Sequence, residues 1–231
     1  MTKEEIQKRV LELSKNEEWN HLYVLSHGIK TRQREINSPG FNTFKWARLE
    51  KIVKSLNPKD KQFLDLGCSD GYFSVQCANL GAKHVYGIDP DPLRIERANF
   101  VKEVYQMNNV DYEVEDLYNL KEEKKYDIIL ALGLLHRIPN LELCLEKMSK
   151  VGRSMVLEFK TLNDEREIFE EKGGKTKSNI YNGLYKIPTV NYVKSILNKL
   201  NFSVDNTYYD TNSDLRYKRT IMVASETKNE K

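Results

Sequence analysis

The hydrophobic rhythm of the chain changes near residue 62. Before that point apolar residues recur at helical intervals: Ile6, Val10, Leu11 and Leu13 within residues 3–14, then Phe44, Trp46, Leu49, Ile52, Val53 and Leu56 within residues 44–56. Two amphipathic helices are therefore predicted ahead of the main domain. The stretch between them, HLYVLSHGIKTRQREINSPGFNT, is polar and aromatic and carries Ser-Pro-Gly near its end, which marks an ordered loop or lid. After residue 62 strand-like apolar runs alternate with helical periodicity: QFLDLG, YFSVQCANLG, HVYGID, PLRIERANFVKEVYQM, VDYEVED, YDIILALG, LELCLEKMSKV and SMVLEFK. Such a βαβαβ series predicts a parallel sheet with helices on both faces, since each parallel return needs a crossover. Downstream, GGKTKSN reads as a polar surface segment, TVNYVKSILNKLN as a helix, and SVDNTYYD with YKRTIMVASE as a closing antiparallel pair. The expected division is helices and lid loop over 1–57, an α/β domain over 58–226 and a flexible tail over 227–231.

Length and composition narrow this picture. A chain of 231 residues suits one large core, and at that size roughly 70% of the unfolded surface can be buried without disulfides or structural metal. Cys68, Cys77 and Cys144 lack CxxC spacing, and their odd number fits a reducing compartment, so a cytoplasmic protein is expected. The charged N-terminus has no signal-peptide core, and no apolar run reaches the ~18 to 20 residues of a membrane span. The formal charge of +3 comes from 37 basic and 34 acidic residues. That near balance makes no strong electrostatic case for nucleic acid.

The most informative run is Phe63-Leu64-Asp65-Leu66-Gly67-Cys68-Ser69-Asp70-Gly71-Tyr72-Phe73. A hydrophobic strand ends in an acid, turns on two glycines and opens a helix, as a nucleotide-binding turn requires: glycine permits tight dihedrals and close approach of a ligand to backbone. The next strand ends in Asp89, 22 residues after Gly67, near the ~20-residue offset at which an acid meets ribose hydroxyls. The third predicted strand ends in Asp116, placed to accept from an adenine amino group, and the fourth runs into Leu132-Gly133-Leu134-Leu135-His136. The glycine spacing GCSDG departs from GxGxxG, which argues against a dinucleotide site.

Taken together, DLGCSDGYFS, GIDP, VED and YDIILALGLLH resemble the class I S-adenosylmethionine-dependent methyltransferases from Leu64 to about Lys160. The resemblance implies a Rossmann-like fold with a mostly parallel seven-stranded sheet, S-adenosyl-L-methionine as cofactor and no metal. It implies Asp65, Gly67 and Gly71 around the methionine end, Asp89 at the ribose and Asp116 at the adenine, with Cys68, Pro90, Leu117, Leu132 and Gly133 completing the cofactor-binding set. Methyl transfer is in-line displacement from a sulfonium, so such a protein supplies alignment, exclusion of water and, for a weak nucleophile, a base. His136 and Glu158, both expected at strand ends, are the candidate catalytic groups.

Shorter pieces, PGFNTFKWARL, GLLHRIP, VLEFK, LYKIPTVNYVKSILNKLNF and KRTIMVA, resemble the branch that forms 5-oxyacetate at the tRNA wobble uridine. By position, Lys45, Trp46, Arg48 and Arg219 carry over as acceptor-binding candidates, and Tyr185, like Tyr181, borders an aromatic segment able to stack a base or sugar. Trp46 is most simply a core residue, and solvated salt bridges are the commoner fate of residues such as Arg48 and Arg219. His27-Gly28 stands where the branch has Lys-Gly, and His136 alone where it has Tyr-His. Ordinary S-adenosylmethionine is therefore expected in place of a carboxylated form, whose extra charge would need cationic partners. The chain also lacks the branch's long N-terminal extension, so less tRNA-binding surface is expected. DLGCSDGYFSVQCANLGAKHVYGID equally resembles methyltransferases of sugars and glycan ends. The acceptor stays open between tRNA and a glycan or small metabolite, with a non-catalytic cofactor-binding subunit as a third reading.

Overall fold

Helix α1 (Lys3–Leu13) starts where the sequence supplies a capping box: the Thr2 hydroxyl accepts the Glu5 N–H and the Glu5 carboxylate accepts the Thr2 N–H. A computed structural model describes residues 1–32, 42–122, 125–173, 184–209 and 216–227. In it α1 buries Ile6, Val10 and Leu13, whereas Leu11 is 70% exposed and stands outside that stripe. Helix α2 (Asn42–Ser55) buries Trp46, Leu49, Ile52 and Val53. Residues 33–41 of the expected lid loop lie outside the described residues; its first part holds a bridge from Val24 to Lys30 around a short 3-10 turn, Ser26–Gly28.

A mostly parallel seven-stranded sheet is built from β1 (Gln62–Leu66), β2 (His84–Asp89), β3 (Val110–Val114), β4 (Tyr126–Leu132), β5 (Gly152–Leu162), β8 (Phe202–Tyr209) and β9 (Tyr217–Glu226), in the order β3-β2-β1-β4-β5-β9-β8. This is the Rossmann-like arrangement expected, with β9 antiparallel to β5 and β8 antiparallel to β9. The remaining elements are α3 (Tyr72–Asn79), α4 (Pro92–Val104), α5 (Leu141–Val151), β6 (Phe169–Gly173), β7 (Leu184–Pro188) and α6 (Val190–Lys199). Among the described residues no helix is long and apolar enough to cross a membrane.

By contacts the chain divides into two compact units, Met1–Val114 and Glu115–Lys231. In the first, β1, β2 and β3 are parallel, with Leu64 opposite Tyr86 and Gly87 opposite Tyr112. β3 is an edge strand and mostly exposed after Val110. Helix α4 begins at Asp91, which accepts the Leu93 N–H, with Pro92 at the first helical position, where its missing N–H costs nothing. In the second unit β4 and β5 are parallel, and α5 and α6 are capped by Asn140 and Thr189. The separate β6–β7 pair is absent from the sequence expectation, because FEEKG has neither apolar alternation nor β-branched residues.

The first unit is tied together by Arg97, a fully buried residue of α4. Its guanidinium donates to the carbonyls of Leu13, Glu17 and Glu18 and lies 5.3 Å from the Trp19 ring. One planar fork thus closes the chain leaving α1 against α4 and satisfies backbone groups that the turn leaves unpaired. Replacing Arg97 with Ala orphans these buried carbonyls, so urea unfolding should show a loss of about 3 kcal/mol or more, at roughly 1 kcal/mol or more per acceptor. Arg97→Lys, a point charge without the fork, should recover less than half of that; equal stability of all three proteins would show that the fork is not structural.

Candidate functional site

The turn after β1 adopts the geometry that its glycines predict. Gly67 and Gly71 have φ of 68° and 81°, in the left-handed region. At Gly71 a Cβ would also come within 2.4 Å of the Tyr112 hydroxyl oxygen. Gly67 and Cys68 donate their N–H groups to the Ile88 carbonyl, and Gly71 donates to that of Cys68. Ser69 is left-handed as well, at φ 54°, and is held from both ends: its N–H donates to Asp89 Oδ2 at 3.0 Å and its hydroxyl accepts from Asn20 Nδ2 at 2.5 Å.

Asp89, the expected ribose acid, is 2% exposed and organises this turn directly. Its second oxygen, Oδ1, accepts the Asp91 N–H at 3.0 Å. Burial raises its pKa, against the opposing charge of Arg94 and these two hydrogen bonds. Pro90 follows it, half-buried. Asp65 is buried on β1, with Oδ2 accepting the Ser74 hydroxyl at 2.6 Å; burial, only partly countered by Ser74, pushes its pKa up to about 6. Cys68 is buried, and desolvation together with Asp65, Asp89 and Asp70 drives its thiol well above the ordinary range, so it fills space and is no thiolate.

The sequence reading passed over the most constrained group of the turn. Asp70 is fully buried, and its carboxylate accepts the His21 backbone N–H at 2.9 Å while also meeting the His21 ring at Nδ1. Burial alone would raise the pKa of Asp70, but the His21 charge and hydrogen bonds, with Arg97 beyond, hold it below the ordinary value. The His21 ring stacks on Tyr72 at 5.1 Å and meets Phe73 edge-on at 5.5 Å, while the Tyr23 hydroxyl donates to the Asp70 carbonyl. The available signal was an acid inside a glycine turn, paired with a histidine in an aromatic loop 49 residues earlier. Lys45 lies near Phe73, 5.9 Å from its ring centre, Trp46 is buried against the same ring at 6.4 Å, and Arg48 is exposed on α2.

In the second unit, Asp116, the expected end of the third strand, lies two residues past the observed end of β3 at Val114. It caps a short 3-10 turn, accepting the Tyr118 N–H at 2.9 Å, with Leu117 buried behind it. β4 ends at Leu132, and Gly133, at φ 76°, donates its N–H to the Glu158 carbonyl at 2.7 Å. Glu158 lies opposite Leu132 in register but stands inside β5, which continues to Leu162. Its buried side chain meets Arg219 Nη1 at 3.0 Å. His136, buried after β4, accepts the Lys160 N–H at Nδ1 over 3.2 Å. That contact assigns the proton of the neutral ring to Nε2, which makes His136 a hydrogen-bond donor. Tyr185 stands on β7 opposite Lys172, and Tyr181 lies outside the described residues. The structure thus gathers Asp65, Gly67, Cys68, Gly71 and Asp89 in one unit, and Gly133, His136, Glu158 and Arg219 in the other, with Tyr185 on a separate ribbon.

Comparison with known proteins gives a consistent result. A family model described as "Methyltransferase domain" matches residues 57–199. A protein of Colwellia psychrerythraea named tRNA U34 carboxymethyltransferase is 30% identical over 135 residues, 57% of this chain and 40% of the relative. One of the same name from Campylobacter fetus is 29% identical over 173 residues, 71% of this chain and 58% of the relative. The chain therefore spans about half the length of the curated relatives it matches. In structure it is similar to the N-terminal domain of EvdMO1, crystallised in the presence of SAH and D-fucose, with a TM-score of 0.79 at 16% identity, covering 98% of this chain and 97% of that one. That likeness is one of fold.

Asp65 gives a signed pH dependence. Its folded pKa lies above the ordinary 3.8, so the native state binds the extra proton and its ionisation weakens the fold as pH rises from about 4 to 6. Asp65→Asn, which keeps an acceptor for Ser74, should match the wild type below pH 4. Above pH 6 it should be more stable by up to about 3 kcal/mol, the free energy of that shift. Thermal melts of both proteins from pH 3.5 to 8 check this; a constant difference across the range would rule out the ionisation as its cause.

Proposed function

This chain belongs to the methyltransferase-domain family, and from that premise we propose that it is an S-adenosylmethionine-dependent methyltransferase acting on a tRNA wobble uridine. One observation carries the cofactor reading. Asp89 is a buried carboxylate at the end of β2 whose oxygens each accept one backbone N–H. A carboxylate has about four acceptor positions, so Asp89 keeps capacity for the two hydroxyls of a ribose. Such donors would offset the burial that raises its pKa. Gly67 and Gly71 leave the backbone bare beside it, as an approaching ligand requires.

S-adenosylmethionine supplies the methyl group on a positively charged sulfur. The chain's own groups bind and orient: Asp89 accepts from the ribose, and Asp116 accepts from the adenine with Leu117 as an apolar wall. His136 donates from Nε2 to the acceptor oxygen and so fixes its approach. The charge of Arg219 is already taken up by Glu158, which supports a cofactor without an additional carboxylate. The acceptor class rests on the names of the relatives.

The test is transfer of tritiated methyl from S-adenosylmethionine to fractionated tRNA, protein, glycan and small molecules. Ribonuclease-sensitive label in tRNA is expected; label confined to glycan or small molecules would refute the tRNA acceptor, and failure to bind cofactor in calorimetry would refute the whole reading. Asp89→Ala should weaken cofactor binding by ~1.5 to 3 kcal/mol, the value of a hydrogen bond to a charged group. His136→Gln, which keeps an N–H donor, should retain far more activity than His136→Ala; equal loss in both would exclude the donor role.

A further inference from the structure

Outside the cofactor groups, the first unit contains a cavity of about 510 Å3 between residues Leu22–Val24, helix α3 and the end of α4. Its principal walls are Tyr23, Tyr72, Gln76, Asn79, Tyr105 and Met107. We propose that this cavity binds a single neutral nucleobase, stacked on Tyr105 and read along its edge by the Gln76 and Asn79 carboxamides. The inference does not depend on the methyl-transfer reading.

The chemistry of the lining selects that ligand. Among the described residues no aspartate, glutamate, lysine, arginine or histidine lines the cavity, so they bring no ion to attract or hold a phosphate or carboxylate. Burial raises the phenols of Tyr72 and Tyr105 above their ordinary range, which keeps them uncharged donors and acceptors. The three tyrosines form a connected aromatic wall, with ring centres 6.3 Å apart for Tyr23 and Tyr105 and 5.7 Å for Tyr23 and Tyr72. Tyr105 is 36% exposed, yet its hydroxyl is fixed by donation to the Val24 carbonyl at 3.1 Å. An aromatic face held still but left uncovered stacks a planar ligand at little entropic cost.

Gln76 and Asn79 stand three residues apart on α3, hence on one side of it. Among the described residues neither carboxamide is engaged in a hydrogen bond. Each presents an N–H donor beside a carbonyl acceptor, the pattern that matches the amide and amidine edges of nucleobases. A volume of 510 Å3 falls within the roughly 300 to 1,000 Å3 of small-molecule sites and admits a base with its ribose. A base within an RNA strand and a free nucleoside offer the same ring, so the experiment must separate them.

Uridine and a short unstructured uridine-containing RNA oligomer are each titrated into the full chain, following the side-chain amide resonances of Gln76 and Asn79. Saturable shifts in both amides are expected. Tyr105→Ala should weaken binding by roughly tenfold, the scale of one lost base stack, while Tyr105→Phe, which keeps the ring and loses only its bond to the Val24 carbonyl, should weaken it by clearly less. Gln76→Ala should weaken binding without altering thermal unfolding, which separates recognition from folding. Tighter binding of the oligomer identifies an RNA base as the source, and binding of uridine alone a free nucleoside. No shift with either probe, or equal affinity in Tyr105→Ala, would overturn the proposal. Cofactor titrations of the same proteins report separately on the methyl-transfer reading.

Discussion

The turn after β1 depends on a carboxylate with no access to water. Asp70 is fully buried, and an unpaired charge in that position would carry a desolvation cost of several kcal/mol. His21 removes most of it, giving one carboxylate both a backbone N–H and a ring nitrogen, while Tyr72 and Phe73 fix the imidazole by stacking and edge contact. Because Asp70 immediately precedes Gly71, anything that moves the carboxylate moves the turn. The loop around His21 is therefore a structural part of the turn.

A second buried charge extends this constraint. Arg97 contributes to holding the Asp70 carboxylate ionised and at the same time fastens the carbonyls of Leu13, Glu17 and Glu18. The segment that leaves α1 is thus fixed at one point by a guanidinium and a few residues later by a histidine. Asn20 joins the two anchors, since its carboxamide holds the Ser69 hydroxyl. Ser69 can sit in a left-handed conformation, unfavourable for a residue with a side chain, because Asn20 and Asp89 grip it from opposite ends. The strained residue lies between Gly67 and Gly71, themselves left-handed.

What could be read from the sequence follows from the range of the interactions involved. The turn, the alternation of strands and helices and the closing antiparallel pair are local patterns: FLDLGCSDG and HVYGID carry their hydrophobicity and turn chemistry within a few residues. The ends of β1 and β4 were legible for that reason. The end of β3 was not, because the alternation of VDYEVED runs on through Glu115 while the capping hydrogen bond that Asp116 accepts from Tyr118 closes the strand early. The β6–β7 ribbon left no trace, since its strand of charged residues gains order from pairing and from Thr189, which accepts the Ile168 N–H and donates to Arg166. His21 with Asp70, and Glu158 with Arg219, are pairs distant in sequence, and neither partner signals the other.

Those distant pairs change the roles that can be assigned to individual residues. Read alone, His136 and Glu158 are two bases and Arg219 is a cation available to an anionic ligand. In the structure Arg219 lies at 3.0 Å from Glu158, on adjacent antiparallel strands, so a ligand carboxylate would have to compete with a carboxylate already in place. The N–H of Lys160, two residues beyond Glu158 on the same strand, sets the tautomer of His136. One strand, β5, therefore offsets the charge of one candidate and fixes the proton of another. In the proposed methyl transfer, whose driving force resides in a sulfonium leaving group, such an arrangement would orient the nucleophile and leave its proton to depart to solvent water.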